Sequence, residues 1–502
     1  MAKPRASRKV PANGRSKSAP STARIGILGS GFSGLGMAIR LKQEGIDDFV
    51  ILEKADEVGG TWRENTYPGA ACDVPSHLYC YSFEPKADWS RVFAPQPEIL
   101  EYIRHCADKY GIRPYIRFGV EVTAAHFDDD AKRWDVHTRD GQVLHFPILV
   151  AGKGALHVPS KPRFQGDERF AGPAFHSAEW DHSVDLAGKR VAVIGSGASA
   201  IQVVPAIVDR VAELHYYQRT PSWVLPRNDR AYSAREKRLF ERFPALEWLH
   251  RQQIYWTLEP RVLGFAVNPR IMSLAERLGR ANIARHVKDR ALRKKLTPRY
   301  TMGCKRTLLS DDYYPAVVRP NVEVITEPIA EFRRRAIVTG DGRERATDAV
   351  VYCTGFKVSE LLSGLDVRGA GGRELAADWS DGARTLYGIT VSGYPNLFFL
   401  MGPNTGLGHN SMIYMIESQI HYVIEAIRAM DAAHVRTVDP RPEIQDAFTS
   451  RIQQRLARSV WATGCQSWYL DEQGRNSTTW PGFTFEYRAR TRHFDTSQYR
   501  MG

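Results

Sequence analysis

Apolar residues in this chain gather into short runs that end on glycine turns, and two of the runs are near copies of each other. Ile25-Gly-Ile-Leu28 precedes a glycine turn, and apolar positions then continue through Leu35, Ile39 and Leu41 at helical spacing. The pattern predicts a strand, a tight turn and a helix. Arg190-Val-Ala-Val-Ile194 repeats it, and Val50-Ile-Leu52 and Leu214-His-Tyr-Tyr217 supply the next strand of each copy. Two further runs, Phe146 to Ala151 and Asp348 to Tyr352, close on Gly152 and Gly355 as expected where a chain crosses between domains.

A different rhythm fills residues 226–299. Leu239, Phe243 and Leu246, then Leu274, Leu278, Ala281, Ala284, Val287 and Ala291, recur three or four apart, which predicts a mostly helical insertion with a solvated face. The fold class expected is α/β, with two doubly wound Rossmann-like dinucleotide-binding domains. The division read from the pattern is 23–158 with 386–502 for the first domain and 159–225 with 300–385 for the second. Residues 1–22 form a separate basic tail.

Composition narrows the class. The chain has 502 residues, 43% of them apolar, and a formal charge of +13. Its length suits roughly three domains. Residues 1–22 hold six Lys and Arg and no acid, a composition too polar to bury a core, so a disordered tail is expected. Residues 227–299 hold 18 Lys and Arg against 7 Asp and Glu. A solvated helical face with attraction for a polyanionic cofactor accounts for this charge, and nucleic acid is not expected as a partner. No run is long and apolar enough to predict a membrane-spanning segment. The six cysteines show neither a CxxC pair nor regular spacing, so a disulfide framework or a metal site is not expected, and a reducing, cytoplasmic setting fits.

The glycine turns carry the first chemistry. Gly29-Ser-Gly31-Phe32-Ser33-Gly34 has GxGxxG spacing, which allows a tight turn, close approach to a pyrophosphate, and close packing of helix on strand. The helix start then presents unpaired N–H groups to phosphate. Glu53 stands 24 residues past Gly29, where its carboxylate can accept ribose hydroxyls. The second copy reads Gly195-Ser196-Gly197-Ala198-Ser199-Ala200, and 24 residues past Gly195 stands Arg219, followed by Thr220. A carboxylate would repel a 2′-phosphate, whereas arginine can clamp one. The first site therefore suits FAD and the second NADPH, with Lys305 as a second cation for that phosphate. A redox-active cysteine pair near the flavin is missing, which sets a disulfide reductase aside.

Two segments decide the chemistry. Gly59-Gly60-Thr61-Trp62 continues through Tyr67-Pro68-Gly69 to Asp73, directly after Glu53, and Phe170, Gly172, His176, Trp180 and Asp181 lie just before the second fingerprint. Here the chain resembles the type I Baeyer–Villiger monooxygenases, whose signature FxGxxxHxxxW(P/D) it matches at every fixed position. The resemblance runs from about residue 23 to 490. It implies an NADPH- and O2-dependent FAD enzyme that turns a ketone into an ester or lactone through a C4a-peroxyflavin anion, with sulfoxidation as a further reaction of the same oxidant.

The resemblance also implies roles. Arg306 matches the catalytic arginine of a Lys-Arg pair, although Lys305-Arg306 alone reads as a solvated pair. Asp73 matches its carboxylate partner. His176 is expected to position the linker between domains and the nicotinamide, not to move a proton. Trp468 resembles a contact of the nicotinamide ribose, and Met412 begins a helix expected beside the isoalloxazine. Tyr79 and Val122 resemble FAD contacts and would serve equally as core. Gly402 to Met412 and the stretch from Asn476 depart from the better-known cyclic-ketone enzymes, so the particular ketone stays open. An N- or S-oxygenating flavin monooxygenase is the alternative, with Trp180 against it. A non-catalytic NADP(H)-binding protein is a second alternative.

Overall fold

A computed structural model describes residues 22–154, 156–357, 364–465, 467–471 and 473–502. The predicted tail at 1–22 lies outside these residues except for its last position.

Two parallel five-stranded sheets share one layout. In the first, Ile25–Leu28 is central, with Phe49–Leu52 and then Ile116–Arg117 on one side, and Ile148–Ala151 and then Leu397–Phe399 on the other. In the second, Arg190–Ile194 is central, with Glu213–Tyr217 and Val322–Ile325 on one side, and Ala349–Tyr352 and Ala174–His176 on the other. The central strands are buried almost end to end, which explains why they read as continuous apolar runs rather than alternating ones. Each copy inserts an antiparallel meander before its return strand: Val122–Asp128, Arg133–Thr138 and Val143–Phe146 in the first, Ile329–Arg333, Ala336–Thr339 and Glu344–Ala346 in the second.

The helix Phe32–Gln43 follows the first central strand and packs under Met412–Ala433, a 22-residue helix with twelve buried residues. A Cβ at Gly36 would stand 3.0 Å from Ile420 Cδ1, so glycine sets that close approach. Among the described residues no helix is long and apolar enough to cross a membrane.

The chain passes between the two halves along paired segments. Pro159 and Phe356 form an antiparallel bridge, and Ser160 N donates to Gly355 O at 2.8 Å. The expected boundary at 385/386 needs correction: Asp366–Arg368 already pairs with Ala124–His126 of the first meander. Residues 364–385 therefore belong with the first half, and sequence pattern missed this because the returning strand is only three residues long.

Residues 234–296 carry four α-helices, Ala234–Arg242, Pro244–Leu258, Met272–His286 and Arg290–Leu296. Ser233 and Glu236 close a capping box at the first, and Pro244 opens the second where its missing N–H costs nothing. The apolar stripes that mark these helices point outward at Phe243, 46% exposed, Leu274, 60%, and Leu278, 65%, and turn inward at Val287, which is fully buried.

The cysteines also depart from expectation. Cys304 and Cys465, 161 residues apart, are joined as a disulfide, while Cys72, Cys80, Cys106 and Cys353 are buried thiols. Sequence spacing carried no sign of this pair because only tertiary folding brings the two segments together.

Candidate active site

One large cavity, about 1340 Å3, runs between the two sheets and takes its walls from both glycine turns. At its first end Gly29 adopts φ +89°, and a Cβ on Gly34 would lie 1.9 Å from Gly29 O. Only glycine permits this helix to start so close to the strand. Gly31 and Gly60 approach each other across the opening, where a Cβ on Gly60 would meet Gly31 Cα at 3.1 Å. Phe32, Ser33, Thr61 and Trp62 complete that wall.

Glu53 is 4% exposed. Ser30 donates to it from both N and Oγ, at 2.9 and 2.7 Å, Ala55 N at 3.0 Å, and Arg63 Nη1 at 3.2 Å. Burial pushes its carboxyl pKa up, but these donors outweigh burial and hold it below the ordinary value. The group is thus a fixed anion at the wall, with hydrogen-bonding character suited to hydroxyls and hostile to phosphate.

At the second turn Gly195 has φ +119°, and a Cβ there would stand 2.2 Å from Cys353 O. Gly197, Ala198 and Ser199 line the cavity, and Ala200 lies buried behind them. Ser196 Oγ donates to Thr220 O at 2.6 Å, tying the turn to the strand end that carries Arg219. Arg219 and Lys305 both line this part of the cavity. Burial, helped by the charge of Arg219, pulls the Lys305 ammonium below its ordinary pKa. Two neighbouring cations with few acids near them make a site for a multivalent anion. The residues present therefore fit two dinucleotides, one with bare ribose and one phosphorylated.

Between the two ends stand Arg306 and Asp73. Arg306 Nη2 donates to Asp73 Oδ1 and Oδ2 at 2.8 and 2.7 Å, and Nε donates to Oδ2 at 3.1 Å. Asp73 raises the guanidinium pKa and outweighs the opposing effect of burial, so the cation persists at any working pH. Buried Tyr469 and Cys72 lie beside the pair, and burial raises the pKa of both, so they are neutral company for it. Tyr79 lines the cavity and accepts from Trp62 Nε1 at 3.1 Å, while Val122, Met412 and Trp468 complete the lining.

The linker signature does something different. Phe170, Gly172, His176 and Trp180 are not among the cavity-lining residues. A Cβ on Gly172 would stand 2.3 Å from Asp348 O, Phe170 packs on Phe332, and Trp180 packs edge-on against Phe175. His176 is fully buried, accepts from Ala178 N at 3.1 Å through Nδ1, and has its pKa lowered to about 4 by burial. These residues fix the edge strand of the second sheet next to the crossing segments.

Several contacts that shape the cavity wall join residues far apart in the chain. Tyr67 OH donates to Gln202 Oε1 at 2.8 Å, Gln202 Nε2 donates to Ala71 O at 2.9 Å, and a Cβ on Gly69 would meet Gln202 O at 2.6 Å. The Tyr67-Pro68-Gly69 segment is thus the seat of the second domain's helix Ala198–Ile207. Asn410 also lines the cavity, and Glu259 from the helical insertion takes its amide. The stretch from Asn476 is not among the cavity-lining residues; Asn404 Nδ2 donates to Asn476 O at 2.9 Å.

Comparison with known proteins agrees with this geometry. The flavin-binding monooxygenase-like family matches residues 22–362. A Baeyer–Villiger monooxygenase of Pseudomonas aeruginosa is 49% identical, with 98% of this chain and 96% of that protein covered. Among solved structures, an oxidized steroid monooxygenase bound to NADP matches with a TM-score of 0.86 and 30% identity, covering 96% of this chain and 99% of the other. The complex of OTEMO with FAD and NADP matches with a TM-score of 0.87 and 27% identity, covering 97% and 100%.

Proposed function

The chain belongs to the flavin-binding monooxygenase-like family and, within it, to the Baeyer–Villiger monooxygenases; on that premise we propose that it uses FAD, NADPH and O2 to convert a ketone into an ester or lactone. The observation that carries the reading is the Arg306–Asp73 pair, set in the cavity wall between one nucleotide cradle whose Glu53 suits a bare ribose and a second whose Arg219 and Lys305 suit a phosphorylated one.

FAD would lie along Gly29 to Gly34 with its ribose at Glu53, and NADPH along Gly195 to Ala200 with its 2′-phosphate at Arg219 and Lys305. When bound, FAD would supply the redox chemistry that activates O2 with electrons from NADPH. The protein's part is electrostatic. Attack on a carbonyl needs an unprotonated nucleophile and builds negative charge on the ketone oxygen, and a permanent cation in the cavity wall favours both. Arginine suits this because it does not surrender its proton, and Asp73 holds it in one orientation through Nε and Nη2. Trp62, Met412 and Trp468 supply apolar wall beside the pair.

The test is a panel of linear, cyclic and aryl ketones with purified FAD-loaded protein, scoring oxygenated product per NADPH consumed and label from 18O2. Ester or lactone carrying one labelled oxygen supports the reading. NADPH oxidation that yields only hydrogen peroxide with every ketone rejects it.

A further inference from the structure

The helical insertion carries a surface that oxygen transfer leaves without a use. Among the described residues, eleven of the sixteen exposed large apolar side chains fall between Leu239 and Leu278. They are not scattered. Ile271, Leu274 and Leu278 follow one another at i, i+3 and i+7, opposite the buried Met272, Gly279 and Ile283. Leu246, Leu249 and Trp256 form a second stripe along Pro244–Leu258, and the Trp256 ring sits 6.1 Å from that of Phe485, which is also exposed. Spacing of this kind ordinarily marks the side a helix buries. Here it is turned to the outside, and a concentration of exposed apolar side chains of this size marks a surface that something else covers.

The charge of the same segment says what covers it. Residues 227–299 hold 18 Lys and Arg against 7 Asp and Glu. A second copy of the chain would bring the same positive charge to the contact. A bilayer surface rich in acidic headgroups offers both things the face lacks, apolar depth for Leu and Trp and negative charge for Lys and Arg. Tryptophans such as Trp248, 58% exposed, and Trp256, 55% exposed, favour that boundary. The helices involved have 15 residues, too few to span a bilayer, so they would lie along it.

We propose that the insertion face around Trp248, Trp256, Leu274 and Leu278 docks the protein onto an anionic lipid surface without crossing it. The insertion is well tied to the cavity: Glu259 accepts from Thr484 Oγ1 at 2.8 Å and from Asn410, and Tyr255 stacks on Tyr414 at 5.1 Å. Docking would therefore hold one wall of the cavity at a fixed height above the lipid.

The full-length FAD-loaded protein is sedimented with vesicles of phosphatidylcholine alone and of phosphatidylcholine mixed with phosphatidylglycerol. Binding is expected to the mixed vesicles only and to weaken as salt is raised. The triple variant Trp248→Ser/Trp256→Ser/Leu278→Ser keeps every charge, including the basic residues of 1–22, and should keep NADPH oxidation with a soluble ketone. It should lose binding by roughly tenfold or more. Quenching of tryptophan emission by brominated lipid, present in the parent and lost on Trp248→Leu/Trp256→Leu, would place those rings in the bilayer. Three outcomes overturn the proposal: no association with the mixed vesicles, unchanged association of the triple variant, or a dimer by light scattering that the triple variant converts to monomer.

Discussion

Arg306 and Asp73 stand 233 residues apart in the chain, and their side chains meet through three hydrogen bonds of 2.7 to 3.1 Å at the junction of the two nucleotide cradles. The pair is where the electrostatic reading becomes measurable. Arg306→Ala should leave NADPH reduction of the flavin within a few-fold of the parent and lower ester formation by at least about a hundredfold, the scale of losing one preorganised charge. Asp73→Asn should fall between the two, since the cation remains and its orientation loosens. Rapid-reaction absorbance of the flavin, set beside product analysis, separates reduction from oxygen transfer. Ester formation at the parent rate by Arg306→Ala would remove the arginine from the chemistry.

Cofactor choice rests on Arg219 and Lys305. Arg219→Ala should raise the KM for NADPH by roughly ten- to a hundredfold, the range for losing a charge-assisted contact with phosphate, and leave the KM for NADH nearly unchanged. Steady-state kinetics with both nucleotides checks this, and equal losses would mean that Arg219 does not meet the 2′-phosphate.

The two halves are joined through Gln202, which accepts from Tyr67 OH and donates to Ala71 O. Gln202→Leu keeps the volume and deletes both bonds, leaving the Ala71 carbonyl without its partner while the Tyr67 hydroxyl keeps Ser199, so a loss of about 1 kcal/mol is expected. Because the bonds join two segments that both line the cavity, NADP+ release should quicken in the variant. Denaturant titration and stopped-flow displacement of NADP+ report the two effects separately.

Cys304 lies two residues before Arg306, and Cys465 lies three before Trp468, so their bond ties two cavity-lining segments together. Opening it frees a loop of 161 residues in the unfolded chain and loosens the wall near Trp468. Cys465→Ser should cost about 2 to 4 kcal/mol of stability. The thermal midpoint of the parent should fall on adding dithiothreitol, while that of the variant should not respond. A parent insensitive to reductant would indicate that the two thiols are not bonded in solution.

The legible part of this molecule is local. Strand, glycine turn and helix at Ile25 to Leu41 and at Arg190 to Ile207 are dictated by a few neighbouring residues, and both cradles therefore could be read from the chain. Glu53 and Arg219 were legible for the same reason, as each ends the strand beside its turn. What stayed hidden depends on residues far apart in the chain. Gln202 is unremarkable until Gly69 is seen against it, and the amide of Asn410 has no evident partner until the insertion brings Glu259 to it. The stripes at 239–278 show a different limit, since periodicity reports that a helix has an apolar side but not which way that side faces.

His176 links the sheet edge to pH. Its Nδ1 accepts from Ala178 N–H, so the folded protein needs the neutral imidazole, and burial lowers its pKa to about 4. In the unfolded chain the group titrates near 6.5. Between these values the unfolded state binds more protons, so the contribution of His176 to stability is intact above about pH 6.5 and is lost progressively as pH falls toward 4. The loss amounts to about 3 kcal/mol at the lower end. Asparagine at 176 can accept from Ala178 through its amide oxygen and cannot titrate. His176→Asn should therefore match the parent near pH 8 within about 1 kcal/mol and show a visibly flatter decline down to pH 4.5. Urea titrations at half-unit pH steps make the comparison, and parallel declines in the two proteins would show that the acid sensitivity arises elsewhere.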